Sequence, residues 1–163
     1  MSVECIRIGS VRLCLALMLG LLAVPGYLVA PVLFSKAGSV SMAGMLAGET
    51  FHIANLVLLL LAAVVVVIWF QMRATEWKTG AVRWYLLLAL VLLVSVNQFA
   101  VSPVLAGLKA EIGSMDLVSA DHPLRKEFGM WHGVSAVIHL LAVAAAAAMV
   151  ALGPCKRRQT CPS

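Results

Sequence analysis

Charge is what this chain most lacks. Four stretches, Leu13 to Ser35, Thr50 to Met72, Trp84 to Leu108 and Phe128 to Cys155, contain no Asp, Glu, Lys or Arg. Over all 163 residues only 12% are charged, and 63% are hydrophobic. A soluble domain of this length carries far more charge, so an ordinary water-soluble fold is excluded. Cysteine is also scarce, at four residues. Cys5 and Cys14 precede or begin the first apolar run, and Cys155 and Cys161 flank a basic tail. No second pair stands at zinc-site spacing, and no disulfide framework is legible. Enzymatic signatures are missing as well. There is no P-loop, no Gly-x-Ser-x-Gly, no His-Glu-x-x-His and no dinucleotide fingerprint. No repeat of recognisable period stands out.

What is present is length without charge. Each stretch meets the roughly 20 residues an α-helix needs to cross a bilayer. The expectation is an all-α integral membrane four-helix bundle forming one polytopic domain over residues 1–163. The helices are expected near 13–35, 43–72, 83–108 and 128–153, with a longer loop over 109–127. The first run extends past Pro25 and Pro31 to Phe34, which fits a retained helix better than a cleaved signal.

The formal net charge of +5 invites a nucleic-acid reading. The basic residues form no stripe, however, and sit instead beside the ends of the apolar runs. Arg7, Arg12, Arg73, Lys78, Arg83, Lys156, Arg157 and Arg158 fall on one side. Lys36, Lys109, Arg125 and Lys126 fall on the other, among Glu49, Glu111, Asp116, Asp121 and Glu127. The positive-inside rule then puts both termini in the cytoplasm and makes the other side the outer face. The expected partner is the lipid bilayer of a cell inner membrane, or of an organelle membrane in a eukaryote, and not nucleic acid. Gly44 and Gly48 form a GxxxG pair that favours close helix packing, in this bundle first and in a homo-oligomer or membrane complex second.

Polar residues inside the runs are few and unevenly placed. Counting 1.5 Å per residue from Arg12, Arg73, Arg83 and Lys156, Tyr27 lies at ~22 Å, Asn97 at ~21 Å and His139 at ~25 Å. By the same count His52 lies at ~31 Å and Glu49 and His132 at ~36 Å. The unusual residues of four helices thus gather in the outer half. The prolines of the first run should kink or interrupt its outer part and free carbonyls there. Intramembrane polar groups are costly and mark function by default. A polar pocket at the outer membrane face is therefore expected, with His52, Asn97, His132 and His139 lining it.

Imidazole and carboxylate suit zinc, copper or iron, which makes Glu49, His52 and His132 a candidate metal set. Two histidines on different helices could instead clamp a haem iron. The bland alternatives are an interfacial His132, a His52 bonded to a freed carbonyl, a solvated Glu49, and Asn97 and Gln98 as interhelical glue. The function expected first is a small non-enzymatic membrane protein whose outer pocket handles a metal ion or another small ligand. A haem-binding electron carrier and a structural subunit of a membrane complex are the alternatives.

Four motifs add a resemblance. Val29-Ala30-Pro31-Val32-Leu33-Phe34 ends the first run, and Ala43-Gly44 approaches the second. Asn97 through Pro103 ends the third, and Phe128-Gly129-Met130-Trp131-His132-Gly133-Val134-Ser135 opens the fourth. Together they resemble the transmembrane-protein-205-like family, a four-helix membrane domain of unknown function. The resemblance implies a four-helix bundle with these motifs at one membrane face, and it supplies no catalytic residue. His132 falls within the family's pattern, His139 stands where that pattern more often has asparagine, and His52 lies outside it.

Overall fold

The computed structural model describes residues 3–72 and 80–152. Arg73, Trp77, Lys78, Cys155, Lys156, Arg157, Arg158 and Cys161 lie outside the described residues. Everything described is helix or short connection, with no strand among these residues. Helix α1 (Val3–Val24) continues through a wider π turn, Pro25–Val29, into α2 (Ala30–Lys36). Helix α3 spans Val40–Met72, and α4 (Ala81–Val96) passes through a second π turn, Asn97–Val101, into α5 (Ser102–Ile112). Helix α6, Pro123–Ala151, closes the set.

These elements make four spans of 32, 33, 32 and 29 residues, each long and apolar enough to cross a membrane. At 1.5 Å per residue even the shortest measures about 44 Å, against a hydrocarbon core of about 30 Å. The helices therefore run past the uncharged stretches, and the longer loop shrinks to residues 113–122. Charged residues end a membrane segment without ending a helix, since Lys, Arg and Glu are good helix formers. Local chemistry supplies the stops. Gly113 turns into the left-handed region at φ 71°, and its N–H donates to the Lys109 carbonyl at 3.0 Å. Pro123 occupies the first turn of α6 after an extended His122.

Each hairpin's two spans pack along their length, and the first and fourth spans close the ring. The tight packing lies at the end of the bundle where the chain begins. There Leu15, Met18 and Leu22 meet Leu58 and Val65, Leu87 and Leu90, and Ala142, Ala146 and Met149. Alanine on α6 lets that helix approach closely. Trp69 and Phe70 meet the Trp84 ring edge-on, at 5.0 and 5.4 Å between centroids, and tie α3 to α4. Outside this core large apolar side chains face away from the protein: Leu60, Leu88 and Leu92 are 60–65% exposed. Such a surface requires lipid around it, and the protein is a multi-pass membrane protein.

The first and third spans share one construction. Val29-Ala30-Pro31-Val32-Leu33 and Val101-Ser102-Pro103-Val104-Leu105 stand 72 positions apart, and in each the π turn begins six residues before the proline. The buried positions repeat at the same spacing: Leu15 with Leu87, Met18 with Leu90, Leu22 with Val94, Pro25 with Asn97. A repeat that the sequence does not announce by period is therefore present in the structure. Its physical core is the proline. In an α-helix the ring of Pro31 would press on the carbonyl four residues earlier and leave it without a donor. The extra residue in the turn relieves that crowding. Ala30 N–H donates to the Pro25 carbonyl, and Ser102 N–H to that of Asn97.

The loop over 113–122 is bound to the start of α3. Ser39 Oγ accepts from Met42 N–H at 3.1 Å, as an N-cap serine does. The Asp116 carboxylate accepts from Val40 N–H at 2.9 Å and Ser41 N–H at 3.3 Å, filling the two donors that Ser39 leaves open. Met115 N–H in turn donates to Ser41 Oγ at 3.0 Å. These bonds, from Val40 N–H first, hold the Asp116 carboxyl below its ordinary value. A lowered carboxyl adds stability above the ordinary aspartate range and loses it as pH falls through the lowered value. Asp116→Ala is expected to speed amide exchange at residues 40–43 and 113–117 at neutral pH. Below the ordinary aspartate range, exchange of wild type and variant should converge. Equal exchange at neutral pH would show that Asp116 does not tie the loop.

Candidate functional site

At the opposite end from the packed core the four spans enclose a chamber of ≈ 1010 Å³. The two π turns set its depth. Each lies where packed core gives way to open space, with Gly26 and Tyr27 from one and Asn97 from the other among the lining residues. Below them large side chains interdigitate. Above them α3 and α6 present small residues, Gly44, Ala47, Gly48, Gly129 and Ala136, which leave the space unfilled.

The polar residues of the floor are bonded across helices. Gln98 and Asn97 are adjacent and both buried, yet they face different neighbours. Asn55 Nδ2 donates to Gln98 Oε1 at 3.0 Å, and Gln98 Nε2 lies 2.5 Å from His52 Nδ1. This chain ties the third span to α3. On the other side Ser135 Oγ donates to Asn97 Oδ1 at 2.8 Å and ties it to α6. Ser102 Oγ donates to the Asn97 carbonyl at 2.9 Å, so the π turn is sealed from within. Among the described residues no buried side-chain nitrogen or oxygen lacks a partner.

His139 closes the floor from α6. Its Nε2 lies 3.1 Å from the Leu22 carbonyl, one turn before the first π segment. The ring meets Phe51 edge-on at 5.2 Å and lies 6.4 Å from Tyr27. Gly26 makes this seat possible, since a methyl group there would come within 2.8 Å of Nε2. Nearer the mouth His132 stacks on Phe128 at 5.9 Å, one turn apart on the same helix. Lys109 Nζ donates to the Gly44 carbonyl at 3.0 Å and lies 5.8 Å from the Phe128 ring centre. Arg125 donates to the Val118 carbonyl from its guanidinium.

Of the residues singled out from sequence, Asn97, His132 and His139 line the chamber. His52 does not. It is exposed, outside the lining, and its ring contacts the buried Gln98. Glu49 is exposed and also outside the lining. Among the described residues no group of three or more His, Cys, Asp or Glu is placed to hold a metal ion. Glu49, His52 and His132 therefore do not converge. The residues that sequence reasoning passed over are Asn55, Gly26, Lys109 and Arg125. Asn55 carried a signal, as a lone amide in an otherwise apolar run. The other three carried none: a glycine beside a proline and cations counted as loop charges acquire meaning only from what lies opposite them.

Replacing Gln98 by leucine removes the link between Asn55 and His52. Interhelical bonds of this kind contribute about 1 kcal/mol in membranes. Gln98→Leu is expected to lower thermal stability in detergent by about that much, and adding Asn55→Leu should cost little more. Additive losses would show that the two side chains act separately.

A family model described as a domain of unknown function, DUF4149, matches residues 13–114. No curated protein and no solved structure matches the chain. The matched residues cover the first span from Leu13, the second and third spans, both π turns and the three prolines Pro25, Pro31 and Pro103.

Proposed function

We propose that this chain, which belongs to the DUF4149 family of domains of unknown function, is a non-enzymatic membrane protein that holds a small amphipathic molecule in the chamber. One observation carries this reading. The same four helices share a buried apolar core at one end and stand around ≈ 1010 Å³ at the other. Pockets of about 300–1,000 Å³ with mostly apolar walls and a few placed polar groups are the usual form of small-molecule sites. Asn97, Ser135 and His139 supply the polar groups, while Phe34, Phe51 and Leu105 supply apolar wall.

An organic ligand fits better than a metal ion, because the described donors do not converge and His139 is already turned to a carbonyl. The finer family assignment, to the transmembrane-protein-205-like group, rests on the motifs at Pro31, Pro103 and Phe128 to Ser135, which border the chamber. Orientation follows the charge count. In the sequence, eight Lys and Arg belong to the termini and the second connection and four to the other two connections. By the positive-inside rule this favours cytoplasmic termini and a chamber open to the outer face of an inner or organelle membrane.

The test uses tritiated dodecanol and protein in phosphatidylcholine nanodiscs, read by scintillation proximity against empty discs. Saturable binding is expected. Gly48→Leu with Gly129→Leu should weaken it about fivefold or more, since overpacking a filled site costs 1–3 kcal/mol. A Cβ at either glycine meets no atom within 4 Å, so each substitution starts in open space. Binding that never saturates and ignores the leucines would leave the structural-subunit reading in its place. A cysteine introduced at Gly38 or Ser119 should react with an impermeant maleimide added outside intact cells, and reaction only after lysis would invert the orientation.

A further inference from the structure

The chamber holds cations and no anion. Lys109 and Arg125 both line it, and among the described residues no Asp or Glu does. Lys109 is half-buried, at the end of an apolar span, and its ammonium spends one of three donors on the Gly44 carbonyl. Arg125 is likewise half-buried, with the Val118 carbonyl as partner for one of its five donors. Among the described residues neither has a carboxylate within ion-pair distance. The ion pair there, Lys126 with Asp121 at 3.2 Å, lies on the exposed loop surface. The carboxylates near the mouth are engaged or outside the lining: Asp116 caps α3, Asp121 pairs with Lys126, and Glu49, Glu111 and Glu127 are exposed and do not line the chamber.

Two cations withdrawn from bulk water without a counter-charge are a costly arrangement. Below them the walls are apolar and aromatic. A molecule with an anionic head and an alkyl tail satisfies both regions at once. Its head would take the free donors of Lys109 and Arg125, and its tail would lie against Phe34, Phe51 and Leu105. A cationic head would meet two like charges, and a purely polar anion would leave the apolar wall uncovered.

We infer that the chamber selects a single-tailed anionic amphiphile, its phosphate or carboxylate bound by Lys109 and Arg125 and its tail directed toward His139. This rests on the reading of the chamber as a ligand site and adds the sign of the ligand's charge. Charge-assisted hydrogen bonds are among the stronger contributions to recognition, so the preference should be large.

The experiment compares dodecyl phosphate, dodecanol, dodecyltrimethylammonium and inorganic phosphate as competitors of tritiated dodecyl phosphate, in phosphatidylcholine nanodiscs at pH 7.5. Dodecyl phosphate should bind at least about tenfold more tightly than dodecanol. The quaternary ammonium and inorganic phosphate should compete weakly or not at all. Lys109→Gln with Arg125→Gln should bring dodecyl phosphate down to about the level of dodecanol, with far-ultraviolet circular dichroism and the thermal midpoint in detergent checking that the variant folds. Lys109→Arg should keep the preference. Equal binding of dodecyl phosphate and dodecanol, or a preference untouched by the double variant, would overturn the inference and leave the chamber reading standing. Full competition by inorganic phosphate would overturn it as well, because the tail would then contribute nothing. Saturable binding of neither amphiphile would remove the chamber reading and this inference together.

Discussion

Every backbone donor and acceptor in these spans must find its partner inside the protein, because the surrounding lipid offers none. A helix meets that demand by itself until a proline interrupts it. Pro31 and Pro103 each remove one donor and crowd one carbonyl, and both times the chain answers with a π turn of five residues. The polar side chains of the bundle collect at these two places. Ser102 binds the Asn97 carbonyl, and His139 reaches the Leu22 carbonyl just before the first π turn. Polar chemistry in the middle of this membrane protein is therefore tied to where its helices are broken.

The same breaks divide the molecule in two. On the core side, large aliphatic residues recur every three or four positions and interlock, from Leu15 to Leu22 and from Leu87 to Val94. On the other side α3 and α6 turn glycine and alanine toward the chamber, and among the described residues no side chain fills the space they leave. Loop contacts hold that open end in shape. Asp116 fastens the long loop to the first turn of α3, and Lys109 spans from α5 to the Gly44 carbonyl. The packed end is stabilised by apolar contact in bulk, whereas the open end depends on a few hydrogen bonds between named groups.

The histidines show how far side-chain chemistry can be read without neighbours. His52 and Glu49 share a helical face, and His132 lies at similar depth on another helix, so a shared ion was a reasonable expectation. Depth along a helix is legible because the rise per residue is constant. Facing is not, because it depends on how each helix is rotated against its neighbours. Here α3 turns Asn55 and Ala54 inward, which leaves His52 on the exposed side with Gln98 as its contact. Asn97 and His139 line the chamber because the second π turn and Gly26 make room for them on the interior side.

By itself the order of residues determined the medium, the number of spans and the half of the bundle in which polar groups gather. Each of these follows from composition and length along one helix, where the bilayer acts as a ruler. Helix ends were less legible, since Gly113, Pro123 and the Ser39–Asp116 cap stop the helices well beyond the uncharged stretches. The repeat at Pro31 and Pro103 is written in the sequence at a spacing of 72, and the two π turns give it its meaning. The cation pair and the chamber belong to the tertiary structure alone. They depend on which face each helix turns to the others, and rotation about a helix axis is decided by packing between segments far apart in the chain.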